Sequence, residues 1–406
     1  MSGKKNFGKW LERFSYFMNK LDNPHLKLKY IHIAGSSGKG SIASMMQSVL
    51  SINGHKTGLF VSPHTTTTIE RIKINDLFIS PDEFAVLVEE IKPIISDMLE
   101  NSNLGFPTHY EILTAIALLY FSRKKCEYAV LEVGCGGRFD ATNIIPTPLI
   151  TIINLIDYDH EEILGRTLTA ISREKAAIIK PGTTFFTTSG NKKHIINIFK
   201  EECRKNRAQF NLIKTNANSF NLKLIGNHQQ ANANLAAAAC RHLHIPEGII
   251  NKGLKQTKLP CRFEIIQKNP LVIIDGAHNF SKFSTTLNAL QNLTYKRLYI
   301  IIALSQKKRA LPLFKDIAGM ASFIFITKHQ NTHRKCFSPK EIKKEIAKYT
   351  TNKTKIFIDP RHALNEALAQ AEKKDAILIT GSLFLAGELR KKWYSEEFIL
   401  SKRHSY

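Results

Sequence analysis

The chain has 406 residues, 58 Lys and Arg against 34 Asp and Glu for a formal charge of +24, and 43% hydrophobic residues. That length exceeds what a single hydrophobic core normally serves, so two domains are expected, and no uninterrupted apolar run approaches the length of a membrane span. The charge leaves two classes open, a nucleic-acid surface or an enzyme of polyanionic small molecules, beside the plain alternative of a compositionally biased genome.

In chain order, Phe7 to Leu21 is an amphipathic mixture with Lys9, Glu12, Arg13 and Lys20, unlike the apolar core of a signal peptide, and a soluble cytoplasmic protein is expected. Tyr30 to Ala34 then reads as a strand that breaks into Gly35-Ser-Ser-Gly38-Lys39-Gly40-Ser41. Small residues expose backbone amides that can wrap phosphates, the lysine adds positive charge, and a helix expected to begin near Ser41 points its N-terminus at the anion. The match to the general P-loop pattern is incomplete, because Ile33 stands where a glycine is required and Gly40 where a hydroxyl follows the lysine. Ile42 to Ile52 continues as the helix, and Lys56 to Val61 as a strand.

Tyr110 to Ser122 has helical periodicity, and Tyr128 to Val133 is the next strand, with Glu132 at its carboxyl end before the glycine-rich Gly134-Cys-Gly-Gly-Arg138-Phe-Asp140 loop. Ligands bind at such strand ends in α/β sheets, and a carboxylate there can hold Mg²⁺ against phosphates. The competing reading is an ion pair between Glu132 and Arg138. Leu149 to Asn154 ends in a second polar cluster that includes Asp159 and His160. A lone histidine after a strand is usually structural, but this one has company. Ile171 to Lys180 reads as a helix that carries Lys175 inward before Pro181 stops it, and Gln230 to Leu243 as another helix.

Leu254 to Pro260 is polar, follows a helix and precedes a fresh series of strands (Leu271 to Ile274, Arg297 to Ile302, Phe323 to Thr327 and Ile377 to Thr380), so it is the expected linker. The division expected is 1–258 and 259–406, each an α/β domain with a largely parallel sheet. The cysteines at 126, 135, 203, 240, 261 and 336 show neither CxxC pairs nor metal-ligand spacing, and Cys126 and Cys240 sit in apolar contexts. Lysines are spread from Lys27 through Lys124 and Lys252 to Lys391 without an aromatic-interleaved tract, so nucleic acid is not an expected partner.

The ordered motifs GxxGKGS, SPH, LEVGxGGRxDATN, DH…ILG, EKAxIIKPG, GxHQxxNA, RFE and DGAHN, spread over Leu21 to Arg390, resemble those of folylpolyglutamate and dihydrofolate synthases, members of the Mur ligase superfamily. The resemblance implies an N-terminal P-loop ATPase domain holding a folate or pteroate pocket and a smaller Rossmann-like C-terminal glutamate-ligase domain. It also implies an ATP-dependent joining of L-glutamate to dihydropteroate or a reduced folate through an acyl phosphate. ATP and Mg²⁺, in two sites, are the implied cofactors; family members are commonly monomeric, and no membrane is involved.

Residue by residue, the resemblance assigns Ser37, Gly38, Lys39, Gly40 and Ser41 to the phosphates and Ser62, Glu132 and His160 to magnesium. Lys175 matches a lysine that CO₂ converts to a carbamate metal ligand. Asn232 corresponds to a nucleotide contact, Arg262 and Asp275 to residues that close over ATP, and His278 to a histidine near the reacting groups. Asn232 and Asn279 also have a plain reading as caps or braces of turns. Thr108, Tyr110, Glu111, Phe139, Asp140 and Ala141 lie where the family meets the pteroate.

Departures collect there and beyond: Tyr110 for a usual phenylalanine, Phe139 and Cys135 for leucines, Cys261 for the glycine before RFE, Phe280 for the proline after DGAHN, and Thr65 to Thr68 for a more apolar stretch. The N-terminus is short as well, and a segment that contacts dihydropteroate in some bifunctional members is expected to be absent. Two alternatives stay open: a Mur-like ligase with another carboxylate acceptor, and a basic nucleotide-binding protein without ligase chemistry.

Overall fold

The computed structural model describes residues 7–305, 313–330, 335–351 and 353–406, and the chain divides into two compact units. The first takes the chain up to His64, Thr68–Lys223 and Gln229–Thr257; the second takes Thr65–Thr67, Leu224–His228 and Lys258 onward. Two short excursions of the N-terminal chain therefore fall with the second unit, which a single cut of the sequence does not anticipate.

The first unit is built on β1 (Lys29–Ala34), β2 (Thr57–Phe60), β3 (Ile72–Ile74), β4 (Leu77–Phe78), β5 (Tyr128–Glu132), β6 (Ile150–Ile153), β7 (Thr184–Thr188) and β8 (Gln209–Ile213). They form one sheet in the order β4-β3-β2-β5-β1-β6-β7-β8, parallel from β2 to β8, with β3 and β4 antiparallel at one edge. The interior strands are nearly continuous apolar runs because helices cover both faces of a parallel sheet. β1 lies between β5 and β6, and the register sets Ile33 beside Glu132 and Ala34 beside Ile153. The carboxyl ends of these three strands thus open on one edge, where α/β folds place ligands.

The helix Lys39–Ile52 packs against the helix Glu247–Gln256, where an added Cβ at Gly253 would lie 2.6 Å from the Val49 backbone. Only glycine permits that approach. The expected linker begins too early: Leu254 to Gln256 is the last turn of this helix, and Leu254 is fully buried. The turn reads as polar because its exposed Lys252, Lys255 and Gln256 outnumber its buried Ile250 and Leu254. Likewise the helix carrying Lys175 is Leu168–Ala176 and stops short of Pro181.

The second unit has β9 (Glu264–Lys268), β10 (Leu271–Ile274), β11 (Leu298–Ile302), β12 (Phe323–Ile326), β13 (Lys353–Ile356) and β14 (Ala376–Thr380) in the order β13-β12-β11-β14-β10-β9, parallel except for β9. Strand periodicity divides its core in two. Leu298, Ile300 and Ile302 pack with Phe283, Leu290 and Ile324 on one face, while Tyr299 and Ile301 pack with Val272, Leu364 and Leu389 on the other. All six cysteines are free thiols; Cys126 and Cys240 are buried, and burial pushes the Cys126 thiol up to about 11. Among the described residues no helix is long and apolar enough to cross a membrane.

Candidate active site

β1 ends at Ala34 and the chain turns through Gly35 (φ 146°) and Gly38 (φ 74°) into the helix Lys39–Ile52. The helix starts two residues earlier than the sequence suggests, because Gly38 supplies the left-handed cap. A Cβ on Gly38 would stand 2.3 Å from Asn154 Nδ2 and 2.6 Å from Asn232 Oδ1. Those amides brace the loop from behind: Asn154 Nδ2 donates to Ser37 O (3.1 Å) and to Asn232 Oδ1 (2.9 Å), and Asn232 Nδ2 donates to Gln229 Oε1 (3.0 Å). Ser36 is tied to the chain after β6 by its N–H to Leu155 O (2.8 Å) and its hydroxyl to Asp157 O (2.8 Å). Asn154 closes β6 as Glu132 closes β5, so the strand-end rule that singles out Glu132 would also have found it.

Two ammonium groups meet at this loop. Lys39 Nζ and Lys175 Nζ both donate to Gly35 O, at 3.2 and 3.1 Å. Lys175 is 2% exposed, and its burial, followed by the nearby Lys39 charge, holds its amine down at about 8. A buried cation beside a second cation is costly, so this lysine surrenders its proton far more easily than a surface one.

Glu132, 6% exposed, accepts the Ser62 N–H at Oε2 (3.1 Å), and an added Cβ at Gly40 would sit 3.3 Å from the same oxygen. The carboxylate therefore stands over the first turn of the phosphate-loop helix. Arg138 pairs instead with Glu174 (Nε to Oε1 3.3 Å), so the competing ion pair with Glu132 does not form. His160 caps the short helix Glu161–Leu164 at φ 48°, with Nε2 3.8 Å from Asp159 Oδ1. Arg71 Nε donates to His64 Nδ1 (2.9 Å), fixing one end of the Ser62-Pro63-His64 segment.

Among the described residues no three His, Cys, Asp or Glu side chains cluster as a ready metal cage. Mg²⁺ does not require one, since it binds through one or two carboxylates together with phosphates and water. Glu132 above Gly40 is such a donor.

The helix His109–Arg123 opens on a capping box: Thr108 Oγ1 accepts the Glu111 N–H (3.2 Å) and Glu111 Oε2 accepts the Thr108 N–H (2.6 Å). The same carboxylate is gripped by Arg13 Nη2 at 2.9 and 2.8 Å, a buried pair tying the helix Phe7–Lys20 to this turn. Arg13 was not singled out from sequence, because its partner lies 98 residues away. Between Thr108 and Glu111, Tyr110 lays its ring against Gly134, where an added Cβ would be 2.6 Å from Cζ. Its hydroxyl reaches Glu132 O (3.3 Å) and Asp140 Oδ1 (3.4 Å). Asp140 is buried and caps the turn Ala141–Ile144, with Ala141 buried and Phe139 half-buried beside it.

In the second unit, Asp275 Oδ2 accepts the Phe263 N–H (2.8 Å), while Oδ1 accepts the Ala277 N–H (2.9 Å) and the Thr286 hydroxyl (2.7 Å). It orders the turn that carries Arg262. Cys261 and Phe263 flank that arginine at φ 55° and 48°, which explains why glycine suits the position of Cys261. Asn279 accepts the Lys282 N–H and caps the helix Phe280–Leu290, so Phe280 occupies the first helical position, where a proline is favoured. His278 Nε2 takes a bond from Lys282 Nζ (3.2 Å), which leaves Nδ1–H to donate to Gly276 O (2.8 Å).

Residues 33–184 match the Mur ligase middle domain and residues 261–383 the Mur ligase glutamate ligase domain, and fold and phosphate loop alike are those of a Mur-type ligase. The chain is 30% identical to a dihydrofolate synthase/folylpolyglutamate synthase of Bacillus subtilis across 96% of each protein. In structure it is similar to the folylpolyglutamate synthase of Thermotoga maritima (TM-score 0.82, 30% identity, 94% of this chain and 93% of that one). It is similar also to the Mycobacterium tuberculosis folylpolyglutamate synthase complexed with ADP and AMPPCP (TM-score 0.86, 25% identity, 94% and 95%). The chain belongs to the dihydrofolate synthase/folylpolyglutamate synthase family.

Proposed function

We propose that this protein is an ATP-dependent ligase that joins the amino group of L-glutamate to the carboxylate of dihydropteroate, of a reduced folate, or of both. The observation that carries the reading is the convergence of Lys39, Lys175 and Glu132 on one glycine loop at the sheet edge. A single lysine and a glycine turn would serve a nucleotide binder; a second, deeply buried lysine beside a carboxylate points to chemistry at the γ-phosphate.

The acceptor carboxylate attacks the γ-phosphoryl group, giving an acyl phosphate and ADP; the glutamate amine then attacks the acyl carbon, phosphate leaves and an amide forms. Ser37, Gly38, Gly40 and Ser41 present backbone and hydroxyl donors to the phosphates, and Lys39 neutralises them. Asn232 holds the loop against which the nucleotide lies. Glu132, Ser62 and His160 would hold Mg²⁺, which when bound offsets phosphate charge.

Lys175 would join them as a carbamate, formed when its neutral amine adds CO₂ and releases a proton. With its amine held down at about 8, far more of it is neutral near pH 7.5 than of an ordinary lysine. The carbamate replaces a cation that repels both Lys39 and Mg²⁺ with an anionic oxygen ligand.

Residues 1–258 are assigned to nucleotide and acceptor, with Thr108, Tyr110, Glu111, Phe139, Asp140 and Ala141 at the acceptor. Residues 259–406 supply Arg262, whose guanidinium stabilises charge on the transferring phosphoryl group, with Asp275 as its brace and His278 near the reacting groups. A cytoplasmic monomer is proposed.

Phosphate release from ATP with Mg²⁺ and L-glutamate, measured separately with dihydropteroate and with a reduced folate and with products weighed by mass spectrometry, tests the reading. A product heavier by one glutamyl residue is expected. ATP binding without ligation to either acceptor would overturn it.

A further inference from the structure

β1 has neighbours on both sides, and from Tyr30 to Ala34 all its residues are buried. His32 lies in the middle of it, 0% exposed, among Tyr30, Ile31, Ile33 and Ala34. A polar ring in such a place costs stability unless it is hydrogen-bonded, and any apolar side chain would fill the strand without that cost. Its Nε2 lies 2.8 Å from the hydroxyl of Thr142, itself fully buried and 110 residues away.

The direction of the bonds follows from their far end. Asp140 Oδ1 lies 2.6 Å from the Thr142 hydroxyl and 3.0 Å from the Thr142 N–H, with the Tyr110 hydroxyl at 3.4 Å; Oδ2 accepts the Cys135 N–H at 2.9 Å. The two N–H groups can only donate, and they favour the ionised carboxylate against burial, which raises its value, so the one Thr142 hydroxyl proton goes to Oδ1. Thr142 Oγ1 then accepts, and His32 Nε2–H donates. Burial holds the imidazole at about 3, which keeps it a neutral, single-proton donor across the physiological range.

We infer that His32 and Thr142 are positioning residues for the acceptor: through one line of hydrogen bonds from the strand that delivers the phosphate loop, they fix the Asp140 carboxylate that meets the pterin-like end of the substrate. This deepens, and rests on, the ligase reading above. A carboxylate suits the N–H donors of a fused nitrogen heterocycle, and a rotamer locked from behind gives that contact direction. His32 is three residues before Gly35, so nucleotide loop and acceptor contact hang from one rigid strand.

The experiment measures steady-state constants for all three substrates in wild type, Thr142→Val, Thr142→Ser, His32→Gln, Asp140→Ala and the Asp140→Ala/Thr142→Val double variant. Thr142→Val should raise KM for the acceptor about tenfold, the scale of one lost hydrogen bond to a charged group, with KM for ATP and L-glutamate moving less than about twofold. Thr142→Ser, which keeps the hydroxyl, should recover most of the loss, and the double variant should be no worse than Asp140→Ala alone. Equal rises in all three KM values, or additive losses in the double variant, would overturn the inference and leave His32 as a structural group of the core. If Thr142→Val does not fold, the non-additivity is read instead from His32→Gln with Asp140→Ala. Wild-type protein that ligates no acceptor would overturn the function and the inference together, whereas active wild type with an unchanged acceptor KM in the variants overturns the inference alone.

Discussion

Lys39 and Lys175 donate to the same oxygen, the carbonyl of Gly35, although Lys39 follows that glycine by four residues and Lys175 by 140. Two ammonium groups on one acceptor is a poor arrangement for a resting protein and a useful one for a protein that receives the phosphates of ATP. In the reading proposed above, phosphate on one lysine and loss of charge on the other would relieve that repulsion.

Replacing Lys175 by alanine is therefore expected to abolish turnover, and a short carboxylate such as acetate should restore part of it. Native mass spectrometry of the wild-type protein in bicarbonate buffer should show an added CO₂ that Lys175→Ala lacks. Full activity in the alanine variant would end the carbamate proposal.

Gly38 predicts a loss of nucleotide affinity without loss of fold. At φ 74° an L side chain costs about 1–2 kcal/mol, and its Cβ would collide with Asn154 Nδ2 at 2.3 Å. Gly38→Ala should weaken ATP binding in calorimetry on the order of tenfold or more. Asn154→Ala, which frees the loop from its brace, should weaken it in the same direction.

Arg390 is fully buried and holds Glu264 through Nε to Oε2 and Nη2 to Oε1, both at 2.8 Å, while Glu264 Oε2 accepts the Cys261 N–H at 2.9 Å. Removing one member of a buried pair leaves an uncompensated charge, so Arg390→Ala should destabilise the second unit by about 3–5 kcal/mol. The Glu264 carboxylate it strands also orders the turn before Arg262. Denaturant unfolding should register the first effect, and a fall in kcat at a temperature where the variant is still folded the second.

The buried imidazole of His32 predicts acid sensitivity. Its value falls from 6.5 to about 3 on folding, with burial the first cause and Lys180 the second. Between those values the unfolded chain binds more protons than the folded one, so stability is complete above pH 6.5 and declines as pH falls, by up to about 1.4 kcal/mol per unit. His32→Leu should flatten the stability profile of the first unit between pH 6 and pH 4, measured by urea midpoints. An unchanged slope would show that another group titrates there.

Much of the architecture is legible in the chain. Tyr30 to Ala34, Tyr128 to Val133 and Arg297 to Ile302 announce themselves as strands, because the interior strands of a parallel sheet are nearly continuous apolar runs. Less apolar strands escape notice. Gln209–Ile213 lies at the sheet edge, where one side of the strand has no neighbour, and its half-exposed residues carry no clear period. The end of the helix Glu247–Gln256 misleads for a related reason, since two buried residues are hidden among exposed lysines.

By itself the sequence determined the parts whose chemistry is local: the glycine turn after β1, the carboxylate and amide that close β5 and β6, the capping residues Thr108 and Asn279, and the order of motifs that marks the family. Tertiary structure alone decided the partners. That Arg138 pairs with Glu174 and leaves Glu132 to Ser62, that Arg13 grips Glu111, that Lys175 meets Lys39 at Gly35 and that His32 reaches Asp140 through Thr142 all join residues with no fixed relation along the chain. Hydrogen bonds and charge interactions decay within a few ångströms, so they are set by which strand ends the packed sheet brings side by side, and that depends on the burial of the whole apolar core rather than on any local run of residues.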